Sequence, residues 1–129
     1  AVFSDQVAIG INQGGEFMIN SSNDAWFYHS AGKRVHLALS LFRSIEYRQY
    51  LVRATNTGLS GVIDPYGKFV EGSQIATNTQ GYAIVDIPIG SQNSFYQQYP
   101  NFIKIIFLLL TFFIFIYFWK IHVDNKKPN

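Results

Sequence analysis

The 129-residue sequence contains no cysteine, which excludes disulfides, zinc–thiolate sites and a thiol nucleophile within these residues. It also carries little charge, since Asp, Glu, Lys and Arg make up 14% of it. Residues 1–101 hold six Lys or Arg against seven Asp or Glu, and residues 102–129 hold four Lys against one Asp. The net charge of +2 therefore comes from the last segment, and we expect no nucleic-acid partner for residues 1–101.

Two further absences bear on function. No two of the three histidines have the spacing of metal ligands, so the sequence predicts neither a metal site nor a cofactor. The first residue is Ala rather than Met, and no signal-peptide pattern follows it. We therefore expect Ala1 to be an internal point of a longer chain.

One long apolar run is present, at Phe102–Val123. Its core, Ile105–Trp119, contains no charged residue. As a helix the run would extend over roughly 33 Å, which matches a bilayer hydrocarbon core of about 30 Å. Lys104 and Lys120 can extend from its two ends toward the lipid headgroups. The run predicts one transmembrane helix over residues 102–123.

The charges around this helix predict its orientation. Lys120, Lys126 and Lys127 lie at its far end or beyond it. Because positive charge is retained on the cytoplasmic side, we expect a cytoplasmic tail at residues 124–129. Residues 1–101 would then lie on the opposite, periplasmic side.

The pattern of residues 1–90 predicts a mixed domain of helices and strands, and residues 91–101 are predicted to form a polar linker. Hydrophobic periodicity and turn residues define the elements. The predicted elements are helix Phe3–Asn12, strand Glu16–Ser21, helix Lys33–Leu51, strand Tyr50–Thr55, hairpin Leu59–Glu71 and strand Tyr82–Ile89. The fold class is therefore α+β.

The helix at Lys33–Leu51 has the clearest pattern in this domain. Apolar residues recur along it at spacings of three and four, the period of one helical face. They are Val35, Ala38, Phe42 and Ile45.

Two polar motifs follow predicted strands. The first, Ser22–Phe27, reads SNDAWF, and the second, Arg53–Gly58, reads RATNTG and is followed by a turn Asp64-Pro65-x-Gly67. The helix between the motifs carries the series His36, Arg43 and Glu46. Together these residues resemble the nitrilase, or carbon–nitrogen hydrolase, superfamily, and specifically its apolipoprotein N-acyltransferase branch.

The resemblance implies a fold and a function. The fold would be the C-terminal half of a nitrilase-like αββα sandwich followed by one transmembrane helix. The branch transfers an acyl chain from phospholipid, through a cysteine thioester, to the N-terminal amine of diacylglyceryl-cysteine lipoproteins. Its cysteine, glutamate and lysine would all lie upstream of Ala1. We therefore expect no catalytic residue here, and an inactive chain without the missing N-terminal half.

Six residues of the two motifs are candidates for lining the acyl or amine pocket. They are Asn23, Asp24, Trp26, Thr55, Asn56 and Gly58. Structural alternatives remain open for each of them. The side chains at 23 and 24 can bond their own turn, and the indole at 26 can serve packing. Residues 55–58 can form a tight turn that needs glycine at positive φ.

Two other polar residues are interpreted as structural. Glu46 lies beside Arg43 and Arg48, which favours an ion pair over a catalytic carboxylate. His36 is interpreted as a hydrogen-bonded helix residue.

Two other functions stay open at the level of sequence. One is a membrane-tethered nitrilase-like amidohydrolase, which would hydrolyse amides instead of transferring acyl chains. The other is a non-catalytic, membrane-anchored binding protein. We expect the acyltransferase to work in the bacterial cytoplasmic membrane, where its phospholipid donor and apolipoprotein acceptor are held.

Overall fold

The computed structural model describes residues 4–28, 30–90 and 93–124. The chain divides into two compact units, Ala1–Gln98 and Tyr99–Asn129. The helices are α1 (Ser4–Asn12), α2 (Gly32–Tyr47), α3 (Phe95–Gln98) and α4 (Phe102–Asp124). The strands are β1 (Met18–Ser22), β2 (Leu51–Thr55) and β3 (Gly61–Ile63). A 3₁₀ turn covers Asp24–Phe27.

The three strands form one small mixed sheet in the order β1-β2-β3. β1 and β2 are parallel, with Asn20 opposite Arg53, and β3 runs antiparallel to β2. The predicted first strand, Glu16–Ser21, begins two residues too early and ends one residue too early, because β1 covers Met18–Ser22. A parallel pair needs a crossover connection, and α2 provides it.

The first helix agrees with the prediction at its end, and its predicted first residue, Phe3, lies outside the described residues. Gly14 follows it with φ +95°, a conformation that glycine adopts without steric cost. This turn leads the chain from α1 into β1.

Helix α2 ends four residues before the predicted boundary at Leu51. The helix stops because Arg48 adopts a left-handed conformation, with φ 52° and ψ 42°, and its N–H donates to Ser44 O. Leu51 is instead the first residue of β2.

The buried side of α2 is polar. Its buried residues are Ser40, Arg43, Ser44 and Tyr47. The predicted apolar face lies elsewhere on the helix, where Val35, Phe42 and Ile45 are exposed. Apolar burial between helices and sheet comes instead from Ile11, Tyr47, Leu51 and Ile63.

The predicted hairpin turn is confirmed. Gly67 N donates to Asp64 O over 3.0 Å, and the Asp64 side chain accepts from the backbone N–H groups of Tyr66 and Lys68. The return segment pairs through a single bridge between Ile63 and Phe69.

The strand predicted at Tyr82–Ile89 is wrong. These residues have no regular secondary structure, and Tyr82 and Ile84 are almost fully exposed. Their alternating pattern is suited to a strand, but no described strand lies beside them to accept their hydrogen bonds.

The predicted apolar helix is confirmed as a helix. Within α4, Phe102–Val123 has a mean hydropathy of 2.4, and its length and composition suit a membrane span. Its polar Thr111 donates to Phe107 O over 2.8 Å, so the hydroxyl is satisfied within the helix.

The α+β fold class with one apolar C-terminal helix is confirmed. The proposed boundaries at residues 90, 101 and 123 stay predictions.

Candidate functional site

The two polar motifs meet at one edge of the sheet. Because β1 and β2 are parallel, their carboxyl ends lie side by side, with Ser22 opposite Thr55. The 3₁₀ turn at Asp24–Phe27 continues from β1, and Asn56–Gly58 continues from β2. Side chains that are 33 residues apart in sequence are thereby brought into contact.

Asn56 ties the two motifs together. Its Nδ2 donates to Asn23 Oδ1 over 2.7 Å, and its Oδ1 accepts from the Asp24 N–H over 3.0 Å. Asn23 Oδ1 also accepts from the Ala25 N–H over 3.1 Å, which caps the 3₁₀ turn. Asn23 therefore bonds its own turn, as the structural alternative predicted, and the opposite loop as well.

Asp24 is the buried anion of this edge. Its Oδ1 accepts from His36 Nδ1 over 2.8 Å and from Ser22 Oγ over 2.9 Å. Its Oδ2 accepts from Arg53 Nη2 over 2.7 Å. Since an ionised carboxylate only accepts hydrogen bonds, Nδ1 of His36 carries the proton. Both carboxylate oxygens are engaged, which leaves Asp24 poorly suited to abstract a proton from a substrate.

Arg53 provides the matching buried cation. Nη1 donates to Asn20 Oδ1 over 2.5 Å and to Ser40 Oγ over 2.8 Å, and Nε donates to Leu59 O over 3.2 Å. The guanidinium thereby joins β1, α2 and the loop after β2 to Asp24. Its fixed fork of donors suits this arrangement, which a lysine could not reproduce.

The ionisation of this pair follows from its surroundings. Burial alone would raise the pKa of the Asp24 carboxyl, but the hydrogen bonds from His36 and Ser22 and the charge of Arg53 together lower it. Burial lowers the pKa of Arg53, and Asp24 opposes that change. The pair is therefore stabilised as a carboxylate and a guanidinium that neutralise each other.

Gly58 is required by close approach rather than by positive φ. A Cβ at this position would lie 2.1 Å from Asp24 Oδ2 and 3.0 Å from Thr55 Oγ1. The tight-turn alternative is thus right that glycine is needed but wrong about the cause, because Gly58 does not have a positive φ. Thr55 Oγ1 lies 3.1 Å from Ser60 Oγ, within the same loop.

Trp26 projects from the edge. Its side chain is 77% exposed, so the packing alternative does not hold within the described chain. Hydrogen bonds hold the 3₁₀ turn that carries Trp26. Asn23 caps its start, and Asp24, its first residue, accepts from Arg53. The edge thus displays an exposed indole on a turn that is hydrogen-bonded to the rest of the site.

The helix residues His36 and Glu46 have structural partners, as interpreted from the sequence. His36 binds Asp24 and its ring lies 5.6 Å from that of Phe27. Glu46 Oε1 pairs with Arg43 Nη2 over 2.9 Å, whereas Arg48 donates to Pro65 O. Burial raises the pKa of Glu46, against the opposing effect of Arg43 and a hydrogen bond from Ser4.

Sequence reasoning missed the central role of Arg53, and of Asn20 beside it. A signal was present for Arg53, which is a charged residue inside the mostly apolar strand LVRAT, and a weaker one for Asn20, which follows the apolar pair Met18 and Ile19 in β1. A charge at such a position is buried only when it is paired. Within the described residues no group of three His, Cys, Asp or Glu side chains is placed to hold a metal ion.

Comparisons with known proteins agree with the resemblance seen in the motifs. The carbon–nitrogen hydrolase family matches residues 2–96. The chain is 36% identical over 107 residues to apolipoprotein N-acyltransferase 2 of Treponema denticola, covering 81% of this chain and 20% of the relative. It is 50% identical over 70 residues to the apolipoprotein N-acyltransferase of Rhodopseudomonas palustris, covering 54% of this chain and 13% of that protein.

A third relative extends further along the chain. The apolipoprotein N-acyltransferase of Haemophilus influenzae is 33% identical over 111 residues, covering 84% of this chain and 21% of the relative. The chain thus spans about a fifth or less of the length of these relatives. The match over residues 2–96 and the assembled motifs show that the chain belongs to the carbon–nitrogen hydrolase family.

Proposed function

We propose that this chain is the C-terminal part of an apolipoprotein N-acyltransferase. One observation carries the proposal: the motifs SNDAWF and RATNTG are assembled into a single polar edge through Asn56 and Arg53. The relatives that share 33–50% identity with the chain have this activity in their names.

The proposed reaction needs a thiol from residues beyond this chain, because these 129 residues include no cysteine. A thiolate attacks the ester carbonyl of a phospholipid, forming a thioester and releasing a lysophospholipid whose new hydroxyl takes the proton. The amine of a diacylglyceryl-cysteine N-terminus then attacks the thioester. An amide forms, and the thiol is regenerated.

In this reaction the assembled edge positions groups and performs no bond-making step. Asn23, Asp24 and Asn56 fix the loop that displays Trp26, which would line the mouth of the acyl or amine pocket. Gly58 and Thr55 shape the facing loop, with Gly58 leaving room for the Asp24 carboxylate.

The exposed surfaces of the sheet support the proposal that an N-terminal half completes the αββα sandwich. Strand alternation places Ile19 on the sheet face opposite the one that bears Asn20 and contacts α2, and Ile19 is 71% exposed. Within the described residues β1 pairs only with β2, so its other edge is open. A cavity of about 210 Å³ lies between α1 and the start of the sheet, and Val7, Phe17 and Leu51 are among its lining residues. The missing half would cover these surfaces and bring its cysteine beside the polar edge.

The proposed location is the bacterial cytoplasmic membrane. Residues 1–101 would lie on the periplasmic side and the lysine-rich end on the cytoplasmic side. The apolar helix Phe102–Val123 supports a membrane location, since both proposed substrates are lipids that reside in the bilayer.

The test begins with the reading frame that encodes Ala1. We expect the codons immediately before it to specify Cys, an aromatic residue and Glu. The complete protein, reconstituted with phospholipid and a diacylglyceryl-cysteine peptide, should N-acylate the peptide, as read by mass spectrometry. Replacing the upstream cysteine by serine should abolish both the acyl-enzyme and the product.

Other results would favour the alternatives. Hydrolysis of amides without acyl transfer would indicate a membrane-tethered amidohydrolase. A reading frame that lacks the upstream cysteine would contradict the acyltransferase and favour a non-catalytic, membrane-anchored protein.

A further inference from the structure

Helix α2 is turned with its polar side toward the sheet. Ser40, Ser44 and Tyr47 are almost fully buried, and Arg53 reaches Ser40 from the sheet. On the other side, Val35 is 59% and Phe42 is 55% exposed. An exposed apolar stripe on a helix that is already packed indicates a partner surface rather than a solvated face.

The stripe runs from Val35 to Ile45, over about 16 Å of α2. At its first end, Val35 and Leu39 adjoin the ring of Phe27 in an apolar groove. The ring can lie against the helix there because position 32 is glycine, where a Cβ would come within 2.3 Å of it. At its other end, Ile45 lies beside the hairpin turn at Gly67.

The charges on α2 and its cap indicate the chemistry of the partner. The sequence of α2 and its C-cap holds four basic residues, Lys33, Arg34, Arg43 and Arg48, against the single acid Glu46. Glu46 is neutralised within the helix by Arg43. Arg34 is exposed near the first end, and Arg48 lies just beyond the last turn. An apolar stripe flanked by arginines suits an anionic phospholipid surface.

The last turn of α2 packs against α3, the helix that precedes the apolar helix in the sequence. Helix α3 packs on the last turn of α2, where Ser94 Oγ donates to Glu46 O and the Tyr96 ring meets that of Tyr47 edge-on at 5.7 Å. Only Tyr99–Asn101 separates α3 from α4. The proposed membrane helix therefore begins only four residues after the last residue of the helix that packs on α2.

We propose that α2 lies in the plane of the membrane interface, with Val35, Phe42 and Ile45 at the boundary of headgroups and acyl chains. The occupant of the exposed stripe is thus a lipid surface. This role does not depend on the acyltransferase reaction, because it concerns how residues 4–98 are seated on the bilayer and not what they catalyse.

The absence of cysteine makes a direct test possible, since every introduced thiol is unique. The 129-residue chain carrying Phe42→Cys is labelled with an environment-sensitive fluorophore and reconstituted in vesicles of phosphatidylethanolamine and phosphatidylglycerol. Ala54→Cys is the matched control, because Ala54 is also exposed but alternates to the sheet face opposite α2. We expect lipids with a quencher at the headgroup boundary to reduce fluorescence severalfold at position 42 and little at position 54.

Three results would overturn the proposal. The first is equal quenching by lipid at positions 42 and 54. The second is full access of an aqueous quencher to position 42 in vesicles. The third is protection of position 42 that grows with the protein-to-lipid ratio without quenching by lipid, which would show that a second copy covers the stripe. Val35→Cys repeats the measurement if the label at 42 disturbs folding. Failure of the complete protein to acylate a peptide would leave these readings unchanged.

Discussion

Arg53 donates to Asp24 over 2.7 Å, and neither side chain is exposed to solvent. Removing one partner of a buried ion pair leaves an uncompensated charge, which costs about 3–5 kcal/mol. We therefore expect Arg53→Met to lower the free energy of unfolding by about that amount. The measurement is urea-induced unfolding of the chain in detergent micelles, monitored by near-ultraviolet circular dichroism.

The exposed Arg34 provides the control for this prediction. Arg34→Met should change stability by no more than about 0.5 kcal/mol. Adding Asp24→Asn to Arg53→Met should cost less than the sum of the two single changes, since the pair acts as a unit. Additive effects would contradict the assignment of a coupled pair.

Gly58 and Gly10 offer a matched pair of glycine substitutions. Gly58→Ala would place a methyl group 2.1 Å from Asp24 Oδ2, and we expect a loss of about 1–3 kcal/mol as the loop shifts. A Cβ at Gly10, within α1, would have no neighbouring atom within 4 Å, so Gly10→Ala should stabilise the chain by up to about 1 kcal/mol. Equal effects at the two positions would argue against the close approach at Gly58.

The depressed pKa of Asp24 predicts acid sensitivity of the fold. The unfolded carboxyl titrates near pH ~3.9, so the stability that Asp24 contributes is present above that pH and is lost as the pH falls through its lower folded pKa. The raised pKa of Glu46 acts in the opposite direction. The difference in stability between the natural chain and Asp24→Asn isolates the first effect. It should shrink as the pH is lowered below about 4, and a constant difference would refute the prediction.

Local patterns predicted much of this fold from sequence. The apolar run predicted the helix at Phe102–Val123, and Asp64, Pro65 and Gly67 predicted the hairpin turn, because each signal lies within one continuous segment of the chain. The motifs SNDAWF and RATNTG also directed attention to the edge where the candidate site is assembled.

What the sequence could not predict depends on contacts between distant residues. Arg48 ends α2 by adopting a left-handed conformation, which neither its type nor its neighbours indicated. Tyr82–Ile89 has the alternation of a strand but no described strand to pair with. The close approach between Gly58 and Asp24 joins two loops, so only the folded chain shows why position 58 is glycine.

The open face and edge of β1 predict poor solubility of the isolated domain. Residues 1–101 without the apolar helix and without detergent should aggregate, since an exposed edge strand templates further pairing. Ile19→Lys places a charge on the exposed face and should slow this aggregation, as measured by light scattering. Gln6→Lys, at an exposed position of α1, is the control for charge alone. Monodisperse, monomeric behaviour of the natural segment would contradict the prediction.

A substitution at Trp26 should affect function without affecting stability. Because its side chain is 77% exposed, Trp26→Ala should change the stability of the chain by no more than about 0.5 kcal/mol. In the complete protein the same change should lower acyl transfer by about tenfold, equivalent to about 1.4 kcal/mol of lost binding. Tyr66→Ala, at another exposed aromatic, should leave transfer unchanged. Full activity of Trp26→Ala would exclude the indole from the pocket mouth.

The space that Gly58 leaves for Asp24 has an evolutionary consequence. A larger residue at 58 would be tolerated only if the carboxylate at 24 were also replaced, and that replacement would in turn remove the need for a guanidinium at 53. Substitutions at positions 24, 53 and 58 should therefore be correlated among homologous sequences. Selection would act on this triplet as one inherited unit.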